Sequence, residues 1–71
     1  MALIISWNVN SLRVRVNHLM DLIQEKKPDV IMIQEIKCLN NEIPDSLNKL
    51  NYEIFVNGEK GKYGVMTMVK K

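Results

Sequence analysis

The sequence predicts an α/β fold built on a βαβ unit, and three observations carry that prediction. Two short apolar runs, residues 3–9 and 30–33, flank a stretch whose apolar residues recur at helical spacing. Continuous apolar runs of this length suit strands buried on both faces, as in α/β proteins. Strand, amphipathic helix and strand in so short a span read as one crossover unit with its two strands parallel.

The first strand takes its apolar character from Ile4, Ile5 and Val9. Ser11 follows as the expected helix N-cap, its hydroxyl placed to accept a backbone N–H of the first turn. Leu12, Val16, Leu19, Met20 and Ile23 form one helical stripe, with Arg13, Arg15, Asp21 and Glu25 on the other side. Lys26 and Lys27 fall where the helix dipole is negative, and Pro28 stops the helix. Pro28 and Asp29 introduce the second strand. Beyond Cys38, residues 43–50 predict a short helix with Pro44 in its first turn and Leu47 and Leu50 on one side. Residues 52–56 are rich in β-formers, 57–62 hold two glycines, and 63–69 are again apolar. These three segments predict a third strand, a turn and a fourth strand, paired as a hairpin with a longer loop. No repeat, linker or low-complexity segment divides the chain, so residues 1–71 read as one unit.

Composition narrows the class. At 46% hydrophobic and 25% charged residues the chain is that of a folded globular protein. A chain of 71 residues is one small domain or part of a larger one, and at this size folding is marginal without staples. The single cysteine, Cys38, makes no internal disulfide, and no Cys/His cluster has zinc spacing. A lone thiol fits a reducing compartment. The net charge of +2 is too small to argue for nucleic acid by itself. Ser6, Asn8 and Asn10 interrupt the apolar opening before it reaches the length of a signal peptide or a membrane span. The expectation is a soluble, cytoplasmic protein with no membrane partner.

Ligands of parallel strand pairs gather beyond the carboxyl ends of the strands. Asn8 lies near the end of the first strand and Glu35 just past the second. Alternation puts Ser6, Asn8 and Asn10 on one face of their strand, and Ile31, Ile33 and Glu35 on one face of theirs. If the strand ends are level, Asn8 and Glu35 approach a common point. A carboxylate beside an amide oxygen is a half-site for Mg²⁺, which is held by one or two carboxylates with waters and phosphate completing its shell. On the residues alone, a solvated glutamate and a turn-forming asparagine account for the same positions.

Two strings add to this. Ser6-Trp7-Asn8-Val9-Asn10-Ser11-Leu12-Arg13 resembles the opening motif of the exonuclease III and AP-endonuclease branch of the endonuclease/exonuclease/phosphatase superfamily. Lys27-Pro28-Asp29-Val30-Ile31, followed by Ile33-Gln34-Glu35-Ile36-Lys37, resembles its second motif, in the same order and at the family's separation. Gly61-Lys62-Tyr63-Gly64-Val65 is similar to a third segment but lacks the serine between tyrosine and glycine. The resemblance implies the amino-terminal βαβ plus β-hairpin portion of a four-layered α/β/β/α sandwich that hydrolyses DNA phosphodiesters with Mg²⁺ or Mn²⁺. It implies Glu35 as a metal ligand and Asn8 as a residue of the same metal site or of the scissile phosphate. Asn10 falls where members carry Asp or Asn near that metal. Arg13 is a candidate contact to DNA phosphate, since a guanidinium pairs well with phosphate oxygens, and a solvated helix charge accounts for it equally well. Ser11 replaces the commoner glycine of the motif.

The resemblance covers the whole chain but only the first part of a full family member. The later aspartate-x-asparagine and serine-aspartate-histidine segments are absent from these residues. That implies an amino-terminal fragment, inactive alone, with double-stranded DNA as the substrate of the full-length family and a separate chain as one way to complete the domain. Two rivals stay open: a superfamily phosphoesterase fragment with a non-DNA substrate, and a non-catalytic interaction module. The remaining features have plainer explanations. His18 reads as an ordinary helix residue. Met66 and Met68 read as adaptable core filler. Residues 58–62 lack the phosphate-loop spacing, and Cys38 has no basic partner to make it reactive.

Overall fold

The computed structural model describes residues 2–59 and 63–71. In chain order they form β1 (Ile4–Asn8), α1 (Leu12–Lys26), β2 (Val30–Gln34), a 3₁₀ turn (Asn40–Glu42), α2 (Asp45–Asn48), β3 (Tyr52–Gly58) and β4 (Gly64–Lys70). The expected turn at 57–62 and the third motif fall partly outside the described residues, since residues 60–62 are not among them.

The four strands make one mixed sheet in the order β1-β2-β4-β3. β1 pairs with β2 in parallel, Ile5 opposite Ile31 and Asn8 opposite Gln34. The βαβ reading therefore holds. β3 and β4 pair antiparallel as the expected hairpin, and β4 also lies antiparallel against β2, with Ile33 opposite Met66. Periodicity gives no hint of this last pairing, which places the later hairpin strand inside the sheet and the earlier one at its edge.

Register and alternation assign each side chain to a face. Ile5, Trp7, Ile31, Ile33, Met66, Met68, Ile54 and Val56 share the face that meets the helices. Leu12, Leu19 and Ile23 of α1 and Leu47 of α2 close over it, with Val9, Ile36, Cys38 and Tyr52 completing the buried cluster. Each fully buried Val, Leu, Ile or Met side chain contributes about 1.5–3 kcal/mol, the main favourable term in a unit this small. The opposite face carries Ile4, Met32, Phe55 and Val65, which stay 40–58% exposed. The described chain is thus an α/β unit of one sheet with helices on one side, matching the expected portion of the sandwich.

α1 ends as the sequence implies. Lys27 takes a left-handed conformation with φ 47°, its N–H donates to Ile23 O at 2.9 Å, and Pro28 follows. Asp29 then ties three strands together at this end of the sheet. Its carboxylate accepts the Leu3 N–H at 2.8 Å and lies 3.8 Å from Lys70 Nζ, and its carbonyl accepts the Lys70 N–H at 2.9 Å. Buried Tyr52 donates its hydroxyl to Pro28 O. Burial pushes the Tyr52 phenol above its ordinary value, and the Asp29 carboxylate adds to the shift.

The expected helix over 43–50 is shorter than its pattern suggested. Only Asp45–Asn48 is helical, with Pro44 just outside it, and the chain before it turns through Asn40–Glu42. Gly58 explains part of that route. A Cβ there would stand 2.6 Å from Cys38 O and 2.7 Å from Asn40 N, so the strand passes this loop at a distance only glycine allows. Among the described residues, no helix is long and apolar enough to cross a membrane.

Candidate functional site

Asn8 and Gln34 end their strands level with one another. The two chains then stay together past the sheet. Val9 N–H donates to Gln34 O at 3.1 Å, Ser11 N–H to Glu35 O at 3.0 Å and Leu12 N–H to Ile36 O at 3.0 Å. On the other side, Ile36 N–H donates to Gly64 O at 3.2 Å and Lys37 N–H to Tyr63 O at 3.0 Å. Residues 35–37 are thereby clamped between the start of α1 and the start of β4.

This clamp holds unusual backbone. Asn10 (φ 47°), Ser11 (φ 93°), Glu35 (φ 54°) and Lys37 (φ 57°) all have positive φ, and none is glycine. Such conformations cost about 1–3 kcal/mol each and persist where surrounding bonds over-determine them. At Glu35 the conformation has a direct consequence. Continued alternation would put residue 35 on the helix-covered face beside Ile31 and Ile33. The left-handed turn ends the strand pattern there, and the Glu35 carboxylate accepts a hydrogen bond from the Asn8 amide nitrogen. The Asn8 amide oxygen accepts the Asn10 N–H at 3.1 Å, and the Asn10 side-chain oxygen accepts from Lys37 Nζ. Four side chains, Glu35, Asn8, Asn10 and Lys37, form one connected polar chain at the carboxyl ends of β1 and β2. Gln34 extends the polar margin, its amide donating to Ser6 Oγ at 3.1 Å.

The structure brings together three of the residues read from sequence, Asn8, Asn10 and Glu35, and adds Lys37. Lys37 lies in the second motif, two residues past the glutamate, but no strand or helix period links it to Asn10. Arg13 stands apart from this polar chain in the first turn of α1, with its Nη1 3.5 Å from Glu42 Oε2. His18 is an exposed residue of α1, as read. Ser11 needs a correction. It precedes α1, and its carbonyl accepts the Arg15 N–H at 3.2 Å, but its hydroxyl makes no capping hydrogen bond. With φ 93° and ψ 103° the residue lies far from the extended conformation that aims a cap hydroxyl at the first turn. Burial pushes the Cys38 thiol up, with Arg13 pulling down and Glu42 adding to the rise, so the thiol stays protonated and inert at neutral pH.

Glu35 is half-buried and faces the Asn8 amide nitrogen. The Asn8 and Asn10 amide oxygens beyond it accept from Asn10 N–H and Lys37 Nζ, and thiolates and imidazoles are not part of this polar chain. Among the described residues, no group of three or more His, Cys, Asp or Glu side chains is placed to hold a metal ion. One carboxylate among amides fits a hard cation that keeps most of its water shell, such as Mg²⁺, and does not fit zinc.

Residues 5–71 match the Endonuclease/Exonuclease/phosphatase family. The chain is 41% identical over 68 residues to exodeoxyribonuclease III of Haemophilus influenzae, covering 94% of this chain and 26% of that protein. An AP endonuclease from Archaeoglobus fulgidus superposes with a TM-score of 0.87 at 32% identity, over 97% of this chain and 27% of that one. A 3′ phosphatase from Neisseria, solved with a product DNA hairpin, also gives a TM-score of 0.87, at 31% identity over 93% of this chain and 26% of that one. The chain therefore spans about a quarter of the length of the relatives it matches.

Proposed function

The chain belongs to the endonuclease/exonuclease/phosphatase family, and on that premise we propose that it is the amino-terminal part of an exonuclease III-type DNA-repair nuclease, inactive on its own. The observation that carries this reading is the Asn8–Glu35 hydrogen bond across the carboxyl ends of two parallel strands. Double-stranded DNA is the proposed substrate class. Support comes from the relatives, one an AP endonuclease and one bound to a DNA hairpin. The proposed setting is the cytoplasm.

Glu35 is the proposed metal ligand, for Mg²⁺ or Mn²⁺. Asn8 belongs to the same site, its amide fixing the orientation of the Glu35 carboxylate. Asn10 ties Asn8 to Lys37, so the polar chain is held from both ends. Arg13, at the start of α1, is the proposed contact to DNA phosphate, since a guanidinium pairs well with phosphate oxygens. A bound ion would polarise the scissile phosphate and stabilise the leaving oxygen. The family's later aspartate-x-asparagine and serine-aspartate-histidine segments are not among these residues, and that is the basis for proposing inactivity. A separate chain carrying the later motifs would complete the domain. A second reading, a non-catalytic interaction module, draws on the exposed Ile4, Met32, Phe55 and Val65.

The test incubates the purified chain with an abasic-site duplex and Mg²⁺, beside an EDTA control and Glu35→Ala. Mn²⁺-induced broadening of NMR signals is followed in parallel. Broadening centred on Asn8 and Glu35, lost in Glu35→Ala, with no cleavage, is the expected result. Cleavage abolished by both EDTA and Glu35→Ala would overturn the inactivity. Broadening that ignores Glu35→Ala would overturn the metal site.

A further inference from the structure

We propose that Glu42 acts as an internal counter-ion that occupies Arg13 until a DNA phosphate displaces it, and so tunes how strongly this end of the sheet takes a phosphodiester backbone. This rests on the nuclease reading above and concerns the regulation of that same surface.

Arg13 sits in the first turn of α1, after Asn10, Ser11 and Leu12. The Ser11 and Leu12 N–H groups bond to Glu35 O and Ile36 O, so the start of this helix is fixed against the polar site. The guanidinium is not part of the core: the Arg13 side chain is 53% exposed. Glu42 is anchored on the other side of the pair. Its Oε1 accepts the Leu39 N–H at 2.8 Å, which leaves Oε2 toward Arg13 Nη1 at 3.5 Å.

The dimensions of the pair decide its role. An exposed ion pair at 3.5 Å through one oxygen is too weak to be a stability device. A phosphate can approach the same guanidinium with two oxygens at once, which is the stronger geometry. Phosphate therefore displaces the carboxylate at small cost, and opening that pair is what Glu42 subtracts from the affinity for DNA. Glu42 lowers affinity without blocking the surface.

The experiment is fluorescence anisotropy of a labelled abasic-site duplex with the whole chain, across a salt series. The proteins are the parent, Glu42→Gln, Arg13→Gln and the double variant, each checked for folding by circular dichroism. Glu42→Gln is expected to tighten binding roughly two- to fivefold at low salt, the strength of the pair it removes. Its salt dependence should keep the parent's slope, because Arg13 meets a phosphate in both proteins. The tightening should not occur in the Arg13→Gln background, whose slope should be shallower by about one phosphate contact. Equal tightening in that background would make the effect one of net charge and overturn the proposal, as would weaker binding or unfolding of Glu42→Gln. If Arg13→Gln weakens binding while Glu42→Gln changes nothing, this inference alone fails. If folded parent and variants all leave the duplex unbound, the DNA reading fails and takes this one with it.

Discussion

On the helix side of the sheet, Ile31, Ile33, Met66 and Met68 are 0–1% exposed, packed under Leu12, Leu19 and Leu47. On the other side, the same four strands present Ile4, Met32, Phe55 and Val65 at 40–58% exposure. The covered face is apolar along both inner rows, Ile5-Ile31-Met68-Ile54 and Trp7-Ile33-Met66-Val56, while the central row of the open face runs Ser6, Met32, Thr67 and Phe55. Among the described residues, helices cover only the first face. Stability in this unit must therefore come almost wholly from one face, and the other contributes surface. The polar site lies at one end of the open face, where Ser6, Asn8 and Gln34 replace the apolar rows, so it forms without the open face being buried.

The largest test of that division is Ile33→Ala at the centre of the covered face. A buried isoleucine cut to alanine loses its transfer free energy and leaves a cavity, about 2–5 kcal/mol together. A domain this small has only a few kcal/mol to lose. Urea titration followed by circular dichroism should find the variant largely unfolded before denaturant is added. A loss under about 1 kcal/mol would mean that the covered face is not a close-packed core.

How much of this was legible follows the range of each interaction. β1, α1 and β2 could be read because their apolar periods are local properties of the chain, and the β3–β4 hairpin because its strands are sequence neighbours. The β2–β4 pairing could not, since Ile33 opposite Met66 is a contact between segments far apart in sequence. At the site, Asn8 and Glu35 were legible as polar residues at two strand ends, supported by the motifs. Their contact depends on the positive φ at Glu35, which no side-chain pattern announces. Ser11 misled for a related reason. Its residue type suits an N-cap, but the hydrogen bond of its N–H to Glu35 O goes with a backbone outside the extended conformation a cap needs.

Ser11→Gly gives the next largest effect, and it sharpens the contrast between the site and the sheet around it. Strain at φ 93° and ψ 103° costs a serine about 1–3 kcal/mol, and glycine avoids it. Glycine's extra freedom in the unfolded chain returns about 0.5–1 kcal/mol of that gain. No capping bond is lost. The urea midpoint should rise by the equivalent of roughly 1 kcal/mol, with the Mn²⁺ broadening at Glu35 retained. A lower midpoint would show that the serine side chain supports the turn.

Phe55→Ser on the open face should have the smallest effect on folding. Phe55 is 56% exposed and pairs across the strands with Thr67, so it loses little burial. A cross-strand pair of this kind contributes about 0.2–1 kcal/mol, and the midpoint should move by no more than that. Association is where the substitution should register. An exposed apolar row promotes contact between molecules, so sedimentation velocity should find less concentration-dependent association in Phe55→Ser than in the parent. A loss of stability comparable to that of Ile33→Ala would break the contrast between the faces, because it would mean that Phe55 is buried in solution. A concentration-dependent midpoint in the parent would identify the cover as a second copy of this chain, since only an intermolecular contact adds stability by mass action.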